Sequence, residues 1–195
     1  MQVSSIKSFL FRFWAQAGLL GLLVLCASPA LWSCTTAIDT SAYDTAVQAA
    51  KDHQAKYQVI DDTIIQGYLK RHNYTAANYQ RTSSGLYLVT LTAGTGTQVA
   101  AGKQISVKYT GKYVSKAKEN TVFDTSDNAP SKSFDYTVGA VSLIPGWAEG
   151  VLLMRQGDRK LLLIPSYLAY GPSGQNPIPP DTPILFEMQI VTVSP

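Results

Sequence analysis

The sequence predicts an α+β domain in which an antiparallel sheet wraps around one short helix, with a helical arm ahead of it. Three observations carry this expectation. From Ser83 onward, short runs of alternating apolar and polar residues follow one another across Gly- and Pro-rich turns, as antiparallel strands do. Among them stands "PGWAEGVLLMR" (145 to 155), which reads as a helix with Pro145 at its first position. Proline suits that place because its φ already matches and its missing N–H would have gone unpaired. Before the strands, residues 41 to 58 are Ala-rich and hold neither Gly nor Pro.

The 195-residue chain has room for one good-sized domain with extensions. It opens on Lys7 and Arg12, followed by the apolar run "AGLLGLLVLCASPALW". A positive stretch ahead of an apolar one marks residues 1 to 33 as a signal peptide. "LWSC" (31 to 34) resembles the bacterial lipobox, whose cysteine is lipidated and becomes the new N-terminus. Leu31 and Ser33 fit, Trp32 is an unusual filler, and bulky Leu25 makes Cys26 the poorer candidate. Cys34 is therefore the expected lipidation site, with residues 34 to 40 as a tether. The alternative is an uncleaved anchor from Phe13 to Trp32, weakened by Gln16, Ser28 and Pro29. Both readings place the working part outside the cytoplasm, on the periplasmic or cell-surface side of a membrane. Neither cysteine falls beyond Cys34, so the folded part has none for a disulfide.

The arm is expected over residues 41 to 82. Asp61 and Asp62 suit a second helix start, and Ile60, Ile64, Ile65, Tyr68 and Leu69 recur at three- and four-residue spacing. That stripe must cover the main domain or pair with its twin on a second copy, making a homodimer. The domain proper is expected from 83 to 195. "LYLVTLT" (86 to 92) and "QISVKYTGKY" (104 to 113) flank the turn "AGTGTQVAAGK", and Ile105, Val107 and Tyr109 alternate with polar residues, so one face is buried. "TVFDTS" and "KSFDYTVG" are short strand candidates, "RKLLLIP" another, and a Pro/Gly loop from 165 to 182 leads to "PILFEMQIVTV", where Ile184, Phe186, Met188 and Ile190 share a face.

Charge excludes some partners. Sixteen lysines and arginines stand against thirteen acids, and two of the cations lie in the acid-free leader, so the remainder is close to balanced. Nothing there calls for nucleic acid. His53 and His72 both lie in the arm, which leaves no His- or Cys-based metal cluster for the domain. "GPSG" near 171 is not a hydrolase elbow, and no phosphate loop or dinucleotide fingerprint is present. No metal and no cofactor are expected.

Five segments stand in one order with near-regular spacing: "VKYTGKY", "VFDTS", "LIPGWAEGVLLM", "LLLIPSYLAYG" and "PIPPDTPILFEMQI". Together they resemble the FK506-binding-protein family of peptidyl-prolyl cis/trans isomerases over residues 83 to 195. The resemblance implies a proline pocket lined by Tyr109, Phe123, Asp124, Phe134, Leu143, Ile144, Trp147, Tyr170 and Phe186. It makes Trp147 the floor on which the prolyl ring stacks, Ile144 N–H and Tyr170 O–H donors to substrate carbonyls, and Asp124 a rim carboxylate. Asp124, Tyr170 and Trp147 are the residues expected to carry catalysis, without acid, base or nucleophile. Proline-containing polypeptides and FK506-like macrolides are the implied partners, and folding of exported proteins the implied role.

The chain departs from the family pattern at the rim. "KYVSKAKENTV" between Gly111 and Phe123 is longer than usual, Pro145 and Ala148 replace frequent charges, and the loop beyond Tyr170 is one residue short with Gln175 in place of a common histidine. These changes keep open a second reading, a proline-peptide-binding holdase with weak turnover.

Overall fold

The computed structural model describes residues 40–119 and 121–194; the leader, Cys34 and nearly all of the tether lie outside them. The described part forms one compact unit. Helix α1 spans Ser41–Arg71, and strands β1 Tyr79–Arg81, β2 Tyr87–Thr92, β3 Gln104–Tyr113, β4 Val122–Thr125 and β5 Phe134–Thr137 follow. Helix α2 is Pro145–Leu152, and β6 Arg159–Ile164 and β7 Ile184–Val193 complete the sheet. Its order is β1-β2-β6-β7-β3-β4, all antiparallel, with β5 sharing the outer edge of β3 with β4. The expected α+β architecture is present.

Two apolar layers explain the strand patterns. On one face Leu88, Val107, Leu162, Ile164, Phe186 and Met188 pack with Trp147, Val151 and Met154. On the other Tyr87, Val89, Leu161, Leu163 and Leu185 pack with Ile65 and Leu69 of α1. Leu161 to Ile164 of β6 therefore form an unbroken apolar run, because both faces of the strand are covered there.

The arm differs from expectation in four ways. Its two helices are one, since no residue between 41 and 71 interrupts the backbone pattern. Asp61 and Asp62 sit in the helix interior and spend their carboxylates on tertiary contacts. The face turned to the sheet runs in four-residue steps through Tyr57, Asp61, Ile65 and Leu69, so Ile60, expected in the stripe, is 37% exposed and Val59 is 69% exposed. The packing is in cis: burying Ile65 and Leu69 contributes about 1.5–3 kcal/mol apiece. The arm also does not end as a separate piece at 82, because β1 has already joined the sheet beside β2.

The long segment after β3 leans back on α1. Glu119 accepts from Arg71 at 2.8 Å and lies 2.5 Å from His72 Nε2. Burial opposes the charge of Glu119, but these hydrogen bonds outweigh it and hold the carboxyl below its usual range.

Candidate functional site

α2 is unusually close to β6, and two glycines make it so. A Cβ on Gly146 would stand 2.4 Å from Ile164 Cγ2, and one on Gly150 2.2 Å from Leu162 Cδ2. Pro145 opens the helix behind Ile144, and the first turn swings the Trp147 indole inward until the residue is 4% exposed. Its polar edge is anchored: Nε1 donates to the Tyr136 hydroxyl at 2.9 Å. The ring face is left for a cavity of 280 Å³, close to the lower bound of about 300 Å³ for small-molecule pockets.

Rings on edge form its walls. Tyr109 on β3 meets the indole at 5.0 Å and 85°, and Phe186 on β7 meets it at 4.9 Å and 80°. Phe134 on β5 stands 6.2 Å from the indole and stacks on Tyr136. Such edge-to-face pairs add about 0.5–1.5 kcal/mol beyond area burial, and here they fix the angle at which each ring borders the space. Leu143, Ile144, Tyr170 and Asp124 close the rim. Phe123 buttresses the wall: its ring packs edge-on 5.6 Å from Phe186 and 5.4 Å from Tyr113. Ser142 joins the lining, a position that sequence reasoning passed over because a lone serine in a turn carries no signal.

Gly111 lies where β3 passes beneath this fan. A Cβ there would come within 2.5 Å of Phe123 and 2.8 Å of Phe186.

Polar chemistry is confined to the rim. Asp124 Oδ2 accepts the Tyr109 hydroxyl at 2.9 Å and Oδ1 accepts the Thr125 N–H at 2.8 Å. Among the described residues these, and no lysine or arginine, hold the carboxylate. Burial, then the Asp124 bond, pushes the Tyr109 phenol up to about 12. Burial and the nearby Asp124 also raise Tyr170, so both phenols stay neutral donors. A larger hollow of 380 Å³ runs past Lys108, Asp127, Arg159 and Glu187; its charged lining suits no apolar ring.

The arrangement can bury a small apolar ring against an indole while holding the flanking peptide at the rim. The family model described as "FKBP-type peptidyl-prolyl cis-trans isomerase" matches residues 95–191. An FK506-binding protein of Neisseria meningitidis is 34% identical over 110 residues, which cover 56% of this chain and 96% of that protein. The chain belongs to the FKBP-type peptidyl-prolyl cis-trans isomerase family. Outer membrane protein MIP of Legionella longbeachae is 35% identical over 111 residues, 56% of this chain and 45% of that protein. Among solved structures, FkpA from Escherichia coli matches with a TM-score of 0.57 at 25% identity, covering 80% of this chain and 70% of that one. The chain spans about half the length, or less, of many curated relatives it matches. The FKBP-type fold thus accounts for the antiparallel sheet and the short helix α2, as the five segments implied.

Proposed function

We propose that the protein is a peptidyl-prolyl cis/trans isomerase assisting the folding of exported polypeptides. The observation that carries this reading is the apolar cavity floored by Trp147, with its donors and its one carboxylate kept to the rim. An imide bond crosses a barrier of about 20 kcal/mol because twisting destroys its resonance. The twisted form is less charge-separated than the planar one. A site that withholds water therefore disfavours the planar ground state relative to the transition state. Phe134, Phe186 and the indole supply that dryness. Ile144 N–H and Tyr170 O–H hold substrate carbonyls, and Asp124, oriented by Tyr109 and Thr125, sets the field at the rim. No proton changes hands, so neither Asp124 nor Tyr170 serves as acid or base.

Exchange spectroscopy on a short Xaa–Pro peptide tests this. Substoichiometric protein should speed an interconversion that otherwise takes on the order of tens of seconds. A holdase would only shift or broaden the signals. Tyr170→Phe and Asp124→Ala should each lower kcat/KM about tenfold, the equivalent of one hydrogen bond.

The leader and Cys34, with the outer-membrane name of the Legionella relative, support an exported, lipid-anchored protein on the periplasmic or cell-surface side. Among the described residues no helix is long and apolar enough to cross a membrane. Cys34→Ala should release the protein from membranes; unchanged retention favours the uncleaved anchor. A homodimer through the arm would use the outward half of α1, since Ile65 and Leu69 are already covered in cis.

A further inference from the structure

The geometry points to Asp61 as a positioning residue for the proline cavity, acting through Ser166 on Tyr170. This rests on the isomerase reading. Asp61 is 0% exposed, and its Oδ2 accepts both the Ser166 N–H and the Ser166 hydroxyl at 2.7 Å, across 105 residues of sequence. Ser166 opens the 3₁₀ turn Ser166–Leu168, which accepts the Ala169 N–H at 3.0 Å and delivers the chain to Tyr170 at the rim. Two bonds from one residue to one carboxylate oxygen fix the turn in place and in rotation; burial pushes the Asp61 carboxyl up, and these two bonds oppose that rise.

A second grip lies eight residues earlier on α1. His53 Nε2 is 2.9 Å from Asp181 Oδ1, and the Asp181 N–H donates to Gly171 O at 2.8 Å. Eight residues are a little over two helical turns, so both grips share one face. The loop that carries Tyr170 is thus tied to α1 on both sides of that residue. Packing alone does not account for the acid. Ile65 and Leu69, one and two turns on, show what covering the sheet requires, whereas Asp61 buries an oxygen, Oδ1, that has no hydrogen-bond partner among the described residues, at a desolvation cost an aliphatic residue would not incur. Its use is orientation, and rim donors act only when placed to within about 1 Å.

The test uses the full chain with Asp61→Ala, Asp61→Asn and Ser166→Ala, measuring kcat, KM and urea midpoints. Asp61→Ala should lower kcat/KM about tenfold in folded protein, and Asp61→Asn, which keeps an acceptor for both bonds, should restore most of it. In a Tyr170→Phe background, Asp61→Ala should add less than twofold, because its effect runs through that hydroxyl. Should Asp61→Ala fail to fold, Ser166→Ala decides, with a several-fold loss expected. Full kcat/KM in either folded variant, or full additivity with Tyr170→Phe, overturns the assignment. A wild type that does not catalyse exchange overturns the isomerase reading instead; the labelled Tyr170 ring signals then judge the positioning role, which stands if Asp61→Ala moves them and falls if it does not.

Discussion

Trp147 and Ile65 are helix residues buried against opposite faces of one sheet, yet Trp147 floors a ring-lined cavity, whereas the hollow on the α1 side runs past Gln66, Leu69, Lys70 and Tyr74 and leaves Ile65 fully covered. α1 has 31 residues and lays aliphatic side chains straight onto β2 and β6. α2 has eight residues, about 12 Å of helix, and its glycines press it onto β6. Beside it, the Tyr109, Phe134 and Phe186 rings of β3, β5 and β7 stand on edge against the indole. Aliphatic groups collapse into gaps, whereas stiff rings pinned by hydrogen bonds and edge contacts keep one open.

Cutting each face separately is the strongest way to break this contrast. Trp147→Ala should cost about 3–5 kcal/mol and abolish turnover. Leu69→Ala should cost about 2–5 kcal/mol while leaving kcat/KM of the folded protein intact; urea unfolding alongside peptide exchange separates the two, and lost turnover in Leu69→Ala would erase the difference between the faces. Gly146→Ala comes next. Overpacking costs about 1–3 kcal/mol, offset by about 1 kcal/mol of helix propensity, and since Ile164 is branched at the point of contact a net loss of stability is expected.

Alkaline titration addresses both faces at once. Tyr109 on the cavity side and Tyr68 on the α1 side are each pushed up to about 12, by burial first and then by neighbours, Asp124 for the former and Tyr74 and Glu119 for the latter. An acid whose folded pKa is raised keeps its proton longer than the unfolded chain does. Stability should therefore fall as pH rises from about 10 to 12, and Tyr109→Phe or Tyr68→Phe should each flatten the slope. The smallest effect is expected from starting the chain at Lys51, less than about 0.5 kcal/mol, because residues 41 to 50 are exposed but for half-buried Val47.

Much of the cavity was legible in the sequence. Pro145 before Trp147 announced a helix start with a misplaced indole, and alternation in β3 and β7 put Tyr109 and Phe186 on the covered face. Phe123 came from the resemblance alone, since nothing in "TVFDTS" tells which partner its ring meets; the structure sets it edge-on against Phe186 and Tyr113. Asp61 was misread because an acid before an apolar run looks the same whether it caps its own helix or a turn 105 residues away. β1, only three residues long, carries no pattern to detect.

The bare backbone at Gly111 has a consequence for how such a cleft can change. Its calibre is set partly from the rear: one added methyl at Gly111 would meet the Phe123 and Phe186 rings and force them to shift. Narrowing or widening for a different ligand needs no alteration among the groups that touch it.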